Sequence, residues 1–144
     1  MQENRHFPNR LGIGGWVNAG RYGIERYLYT LQRLSGLGLI LFLLLHLVET
    51  SSRLRGAAAW EATMAGVASP LFKVLEYVVM AGFLFHATNG VRLILEELGP
   101  ALGKPARPIY PYTSSIQRQR PLMWALMVVV VVLLGLSAAD FFVW

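Results

Sequence analysis

The segment LMWALMVVVVVLLGLSAA, residues Leu122–Ala139, decides the fold class of this chain. It contains no charged residue and is followed directly by Asp140. Because an α-helix rises 1.5 Å per residue and the hydrocarbon core of a bilayer is ~30 Å thick, about 20 apolar residues are enough to span it. We therefore predict a transmembrane helix over about residues 121–143.

A shorter apolar stretch, Leu34–Val48, lies upstream and is followed by Glu49. Its 15 residues would also fit a buried helix of a soluble protein. It spans a bilayer only if the helix extends back through Tyr27–Arg33 and forward to about Leu54, with the charged ends reaching the interface. We expect this extension, which gives a helix over about residues 27–54.

The remaining apolar stretch, about Leu71–Leu95, is interrupted by polar side chains. These are Lys73, Glu76, His86, Thr88, Asn89 and Arg92. A spanning helix with such residues must turn one face towards other protein helices, since lipid offers them no partners. We predict a helix over about residues 70–97, with a short interfacial helix in the preceding loop, 51–69.

These spans predict an all-α membrane protein with three transmembrane helices that form part of a larger bundle with a partner subunit. The 144 residues make one membrane-anchor domain, beginning with a segment of residues 1–26. Hydrophobic residues make up 55% of the chain and charged residues 15%, a composition suited to lipid. Cysteine is absent, which excludes disulfides, thiolate-bound zinc and any iron–sulfur cluster held by this chain alone.

The positive charges indicate how the helices are oriented. Ten Lys and Arg residues fall on the side that holds the N-terminus and the loop after the second helix, and three fall on the other side. Cytoplasmic segments carry such an excess, so the N-terminus is expected in the cytoplasm and the protein in the inner cell membrane as a multi-pass subunit. The net charge of +5 is therefore explained by topology rather than by nucleic-acid binding.

Two of the three histidines, His46 and His86, lie inside predicted membrane helices, whereas His6 is in the N-terminal segment. Each belongs to a stripe of residues spaced by three or four. One stripe is Ser35, Gly38, Phe42, His46, Glu49 and Arg53, and the other is Val79, Gly82, His86 and Gly90. A glycine one turn from a histidine leaves room for a flat group such as haem, whose iron binds neutral imidazole. Histidine that only bonds a neighbouring helix, and glycine that only packs, remain the alternatives.

Depth favours two cofactors rather than one. His46 is 13 residues beyond Arg33, or ~20 Å along the helix, and His86 is six residues before Arg92, or ~9 Å. Two axial ligands of one upright haem should lie at nearly equal depth, so we expect two haems, one per leaflet. Their other ligands must then come from a second subunit.

The motifs LQRLSG (Leu31–Gly36), HLVET (His46–Thr50) and FHATNG (Phe85–Gly90) resemble the membrane-anchor cytochrome b of succinate dehydrogenase and fumarate reductase. The resemblance covers roughly residues 30–135 and is closest to the C-terminal half of the single-chain dihaem anchors. It implies that His86 ligates the haem b nearer the iron–sulfur subunit and His46 the distal one. It also implies that flavoprotein and iron–sulfur subunits carry the other redox groups, while a second hydrophobic anchor subunit shares the haems.

The monohaem anchors of this family have a related pattern. His86, Gly90, Val91 and Arg92 match it, but Leu93 replaces its second histidine. Those anchors also lack a counterpart of His46. A monohaem anchor that uses His86 only, and a cofactor-free anchor or assembly subunit, remain the alternative functions.

The resemblance also implies a quinone site near the cytoplasmic surface, with menaquinone favoured by the expectation of two haems. Arg33 matches a quinone-contacting arginine of the monohaem anchors, whereas Tyr29 stands where those anchors have a serine. Arg33 and Arg92 could hold haem propionates or a quinone carbonyl, or simply reach the interface. Ser35 could bond a propionate or its own helix. The expected cofactor-binding residues are His46, His86, Arg33, Ser35, Gly82, Gly90 and Arg92, with no catalytic residue.

Overall fold

A computed structural model describes residues 12–14, 23–100 and 115–143 of the chain. This part is helical and contains no strand. Its helices are α1 (Ile24–Thr50), α2 (Ala57–Val67), α3 (Pro70–Glu97) and α4 (Ser115–Phe142), and a 3₁₀ turn, Ser51–Arg55, prolongs α1. His6 and most of the N-terminal segment lie outside the described residues, as does most of the loop between α3 and α4.

Within the described residues, three helices are long and apolar enough to cross a membrane: Ile24–Arg55, Pro70–Glu97 and Gln117–Phe142. The predicted all-α fold with three transmembrane helices is thereby confirmed. Helix α1 continues through the polar residues on both sides of its apolar stretch. Helix α4 begins earlier than the predicted span, because hydropathy does not detect the polar segment 115–120, which is helical although it precedes Pro121.

Helix α3 lies between the other two long helices and packs against both. The buried apolar core is small and joins all three, with Leu28 from α1, Phe85 from α3, and Met123 and Val130 from α4. Towards the other end of the bundle, the hydroxyl of Tyr77 donates to the backbone carbonyl of Leu134 at 3.1 Å. These contacts fix the two faces of α3 against α1 and α4.

The connection from α1 to α3 contains the predicted short helix, α2. Gly56 ends the 3₁₀ turn with φ 99°, a left-handed conformation that glycine adopts without strain. Ser69 then caps α3, because its hydroxyl accepts from the backbone N–H of Phe72 at 3.4 Å, and Pro70 occupies the first turn, where a missing N–H costs little. The guanidinium of Arg53 lies 4.0 Å from the ring centre of Trp60, which fastens α2 to the end of α1.

The outer surface of α1 is apolar and is not covered by the other residues that the structure describes. None of the residues in its most apolar stretch is buried, and its leucines, among them Leu37, Leu41 and Leu45, are well exposed. Such a surface suits contact with lipid or with the helices of another subunit.

Candidate functional site

The imidazole of His86 lies in the interface between α3 and α1. Its Nδ1 is 3.2 Å from the backbone carbonyl oxygen of Gln32 and 3.1 Å from the hydroxyl of Ser35. The Ser35 hydroxyl in turn donates to the same Gln32 carbonyl at 3.1 Å. The sequence left Ser35 either a haem propionate or its own helix as a partner. In the structure its hydroxyl donates to its own helix and lies beside His86, although it shares a stripe of α1 with His46.

These contacts determine which ring nitrogen of His86 carries hydrogen. The Gln32 carbonyl oxygen can only accept a hydrogen bond, and the hydroxyl hydrogen of Ser35 already points to that carbonyl. The contacts of Nδ1 with Gln32 and with Ser35 therefore both require a hydrogen on Nδ1. In a neutral imidazole the other nitrogen, Nε2, then holds the lone pair, and the side-chain nitrogen of Gln32 lies 3.4 Å from it as a donor. An Nδ1–H bonded to a backbone carbonyl is the usual arrangement of a histidine that binds metal through Nε2. The hydrogen on Nδ1 is therefore that of a metal-binding histidine, but iron can bind Nε2 only after the Gln32 amide has moved away from it.

Glycines line the surfaces around His86. At Gly36 on α1, a Cβ atom would lie 2.9 Å from Cε1 of His86, so only glycine fits there without a shift. A Cβ at Gly90 would lie 3.7 Å from Nε2 of Gln32, which is ordinary contact. A Cβ at Gly82 would meet no atom within 4 Å, and Gly82 borders a largely apolar cavity of about 470 Å³ between α1 and α3. Gly82 thus leaves space, whereas Gly90 supports the Gln32 side chain.

The second histidine, His46, is open to its surroundings, with 49% of its side chain exposed. Its ring stacks on Phe42, with the ring centres 5.4 Å apart, and its Nδ1 is 3.8 Å from a carboxylate oxygen of Glu49. His46 borders a cavity of about 660 Å³ that α2 closes on one side with Trp60 and Met64. Cofactor and ligand sites usually measure about 300–1,000 Å³, so the space beside His46 fits a large flat group.

The two histidines stand at different heights in the bundle. His86 faces Gly36 of α1, and His46 is ten residues farther along that helix, or ~15 Å. This separation is larger than the ~10 Å expected from residue counts alone. Both imidazoles are therefore too far apart to approach one metal ion.

Arg92 is buried, with a relative exposure of 4%, and does not reach the interface as a free cation. Its guanidinium donates to the amide oxygen of Asn89 at 2.9 Å, to Glu96 at 2.7 Å and to Gln119 of α4 at 3.3 Å. Asn89 is fully buried and donates to Gln32 at 2.9 Å. These side chains join α1, α3 and α4 through polar contacts.

Arg33 and Tyr29 form a pair on the exposed face of α1, one turn apart. The guanidinium of Arg33 donates to the Tyr29 hydroxyl and also lies 5.4 Å from the centre of its ring. The Tyr29 hydroxyl is thus held against the guanidinium of Arg33. Both side chains are exposed.

Sequence patterns did not identify Gln32 and Gly36 as part of the site. Both face His86, although neither belongs to the two stripes of α1 and α3 that contain the histidines. The signal that could have found them is LQRLSG itself, because Gln32 and Gly36 lie one turn apart and therefore share a helix face.

Residues 1–135 match the family model described as "Succinate dehydrogenase/Fumarate reductase transmembrane subunit". The succinate dehydrogenase hydrophobic membrane anchor subunit of Halobacterium salinarum is 28% identical over 99 residues, which are 68% of this chain and 74% of that protein. The anchor subunit of the same description from Archaeoglobus fulgidus is 30% identical over 81 residues, 56% of this chain and 69% of that protein.

A third relative is the succinate dehydrogenase 2 membrane subunit SdhC of Mycobacterium tuberculosis, 33% identical over 64 residues. The match covers 44% of this chain and about half of that protein, 47%. No solved structure matches the chain. Because the family match extends over nearly the whole sequence, this multi-pass membrane protein belongs to the transmembrane anchor subunits of succinate dehydrogenase and fumarate reductase, an oxidoreductase complex.

Proposed function

We propose that this chain is a haem b-binding anchor subunit of a succinate:quinone oxidoreductase, with its N-terminus in the cytoplasm. It docks the soluble iron–sulfur and flavoprotein subunits and shares two haems with a second hydrophobic anchor subunit. The flavin and the iron–sulfur clusters are assigned to the soluble subunits, so this chain has no catalytic residue of its own.

The observation that carries the proposal is the height difference between two ligand-competent imidazoles. His86 carries its hydrogen on Nδ1 and its lone pair on Nε2, from which the Gln32 amide would have to withdraw, and His46 opens into a cavity of about 660 Å³. Their levels differ by ~15 Å along the axis of α1, which supports two irons rather than one. The family match supports haem as the group, since imidazole is a common axial ligand of haem iron.

The second axial ligand of each iron is assigned to the partner anchor. His46 and His86 stand at different levels, and His6 is far from both in sequence. The exposed apolar face of α1 supports a partner helix on the side where His46 is open. When bound, haem b would carry single electrons between the iron–sulfur subunit and quinone.

Arg33 and Tyr29 are proposed to bind the quinone head group. A guanidinium and a phenol hydroxyl both donate hydrogen bonds, and the two are already held together on an exposed face near the proposed cytoplasmic end of α1. Tyr29→Phe keeps the ring under Arg33 but removes the hydroxyl. We expect it to raise KM for quinone with little change in haem content, and an unchanged KM would remove Tyr29 from the site.

The experiment that tests the cofactor assignment is a reduced-minus-oxidised optical spectrum of the purified complex, with haem counted per chain. We expect b-type bands from two haems, and the loss of one haem in His46→Ala. Full haem content in His46→Ala would establish the monohaem alternative in which His86 alone binds iron. A complex without any b-type band would establish a cofactor-free anchor, in which the contacts of His86 with α1 serve only packing.

A further inference from the structure

The corner between α1 and α2 carries two arginines without an ion-pair partner. Arg53 and Arg55 lie in the last turn of the 3₁₀ segment, and both are exposed. Within the described residues, no carboxylate forms an ion pair with either side chain. Glu49, one turn before Arg53, instead lies 3.8 Å from His46, and the guanidinium of Arg53 covers the ring of Trp60. The corner thus presents two positive charges that the described part of the chain does not neutralise.

The position of this corner along α1 places it at a membrane surface. Arg53 follows Arg33 by 20 residues on the continuous helical segment Ile24–Arg55, which is ~30 Å along the axis. The hydrocarbon core of a bilayer is also ~30 Å thick. When Arg33 lies at one boundary of the core, Arg53 therefore lies at the other boundary, among the lipid headgroups. Trp60 suits the same level, because tryptophan is enriched where hydrocarbon meets the headgroups.

An exposed leucine stands between the two arginines. Leu54 has a relative exposure of 90%, and the surface of α1 that leads to it is also apolar, with Leu47 and Val48 exposed. At a membrane surface, an apolar side chain contacts the acyl chains while guanidinium groups remain at the level of the phosphates. The corner therefore combines the two kinds of group that a phospholipid requires, an apolar contact for its chains and positive charge for its phosphate.

We propose that the α1–α2 corner, formed by Arg53, Leu54 and Arg55, binds an anionic phospholipid, with the two guanidinium groups on its phosphate and Leu54 against its acyl chains. A guanidinium presents a planar fork of N–H donors that matches two phosphate oxygens. An anionic lipid is favoured over a zwitterionic one, because the amine of a zwitterionic headgroup already neutralises the phosphate. A basic residue at an anionic membrane surface strengthens binding about five-fold. Neither haem nor quinone takes part in this site, so its test is independent of the proposed function.

The test is a titration of the purified, delipidated complex with phosphatidylglycerol or with phosphatidylcholine in detergent, with the bound lipid counted by native mass spectrometry. We expect Arg53→Gln combined with Arg55→Gln to bind one phosphatidylglycerol fewer per chain than the wild type. Arg55→Gln alone should raise the phosphatidylglycerol concentration needed for that molecule about five-fold, with phosphatidylcholine binding unchanged.

Lys73→Gln is the matched control, because Lys73 is an exposed cation near the start of α3 and its substitution removes the same charge. It should leave phosphatidylglycerol binding unchanged. Arg53→Lys keeps the charge and removes the planar fork, so its loss should be smaller than that of Arg53→Gln. The side chain of Arg55 makes no hydrogen bond, ion pair or ring contact with the described residues, so Arg55→Gln tests the site without disturbing the fold.

Unchanged phosphatidylglycerol binding in Arg55→Gln and in the double variant would overturn the proposal. Equal losses in Arg55→Gln and Lys73→Gln would do so as well, because they indicate an effect of net charge rather than a site at the corner. Equal losses of phosphatidylglycerol and phosphatidylcholine in the double variant also contradict it, since they indicate apolar contact alone. Displacement of the lipid by inorganic phosphate, but not by sodium chloride at the same ionic strength, would assign the corner to a small anion instead of a lipid.

Discussion

The contact between Gly36 and His86 predicts a measurable response to a single methyl group. In Gly36→Ala, the new Cβ would lie 2.9 Å from Cε1 and 3.5 Å from Nδ1 of the ring. Carbon atoms in ordinary contact are ~3.5–4.0 Å apart, so the ring or the whole helix must withdraw by roughly half an ångström or more. Overpacking of this kind typically costs about 1–3 kcal/mol. The shift also lengthens the contacts of Nδ1 with Ser35 and Gln32, now 3.1 and 3.2 Å.

The matched control is Gly135→Ala on α4, where a Cβ meets no atom within 4 Å. Alanine favours a helix over glycine by up to about 1 kcal/mol, and this gain is common to both variants. Thermal unfolding of the purified complex in detergent should therefore give a lower melting temperature for Gly36→Ala than for Gly135→Ala. The optical spectrum of the His86 haem should change in Gly36→Ala only. Equal melting temperatures and spectra in the two variants would refute the packing argument.

Three further substitutions have distinct expected outcomes. Gly82→Leu should fold normally, because no atom of the described residues lies within 4 Å of its Cβ position. It should lower the haem content by filling the cavity of about 470 Å³. Normal haem content would show that this cavity does not belong to a haem site. Arg92→Leu should lower the free energy of unfolding by about 3–5 kcal/mol, because it leaves the largely buried Glu96 carboxylate unpaired. Combining Arg92→Leu with Glu96→Leu should recover much of this loss in a double-mutant cycle. Strictly additive losses of the two substitutions would contradict the ion pair. Tyr77→Phe removes only the hydrogen bond to the Leu134 carbonyl, and such a bond between membrane helices contributes about 0.6–1.7 kcal/mol. The melting temperature should therefore fall slightly, and less than in Tyr77→Ala. An equal fall in both variants would contradict a packing role of the ring.

The three spanning helices could be predicted because hydropathy and helix length depend only on neighbouring residues. The extension of α1 through Tyr27–Arg33 follows from the bilayer thickness, and Gly56 and Ser69–Pro70 are local signals that end one helix and start the next. The beginning of α4 was harder to predict, because a polar segment before Pro121 can be helical without being part of the apolar span.

The partners of the two histidines could be predicted only in part. Helical spacing tells which residues share a face, so the stacking of Phe42 on His46 follows from the sequence. It does not tell which level of one helix meets which level of its neighbour, so the contact of Ser35 with His86 could not be predicted. Arg92 was predicted to hold a propionate or a quinone carbonyl or to reach the interface; its burial by Asn89 and Gln119 depends on the neighbouring helices and could not be predicted.

A density map of the purified complex, with both anchor subunits present, tests the central claim most directly. The account predicts continuous density from Nε2 of His86 to one haem iron and from the ring of His46 to a second, about 15 Å farther along α1. Density in which both imidazoles contact only protein side chains, or in which both approach the same iron, would contradict it.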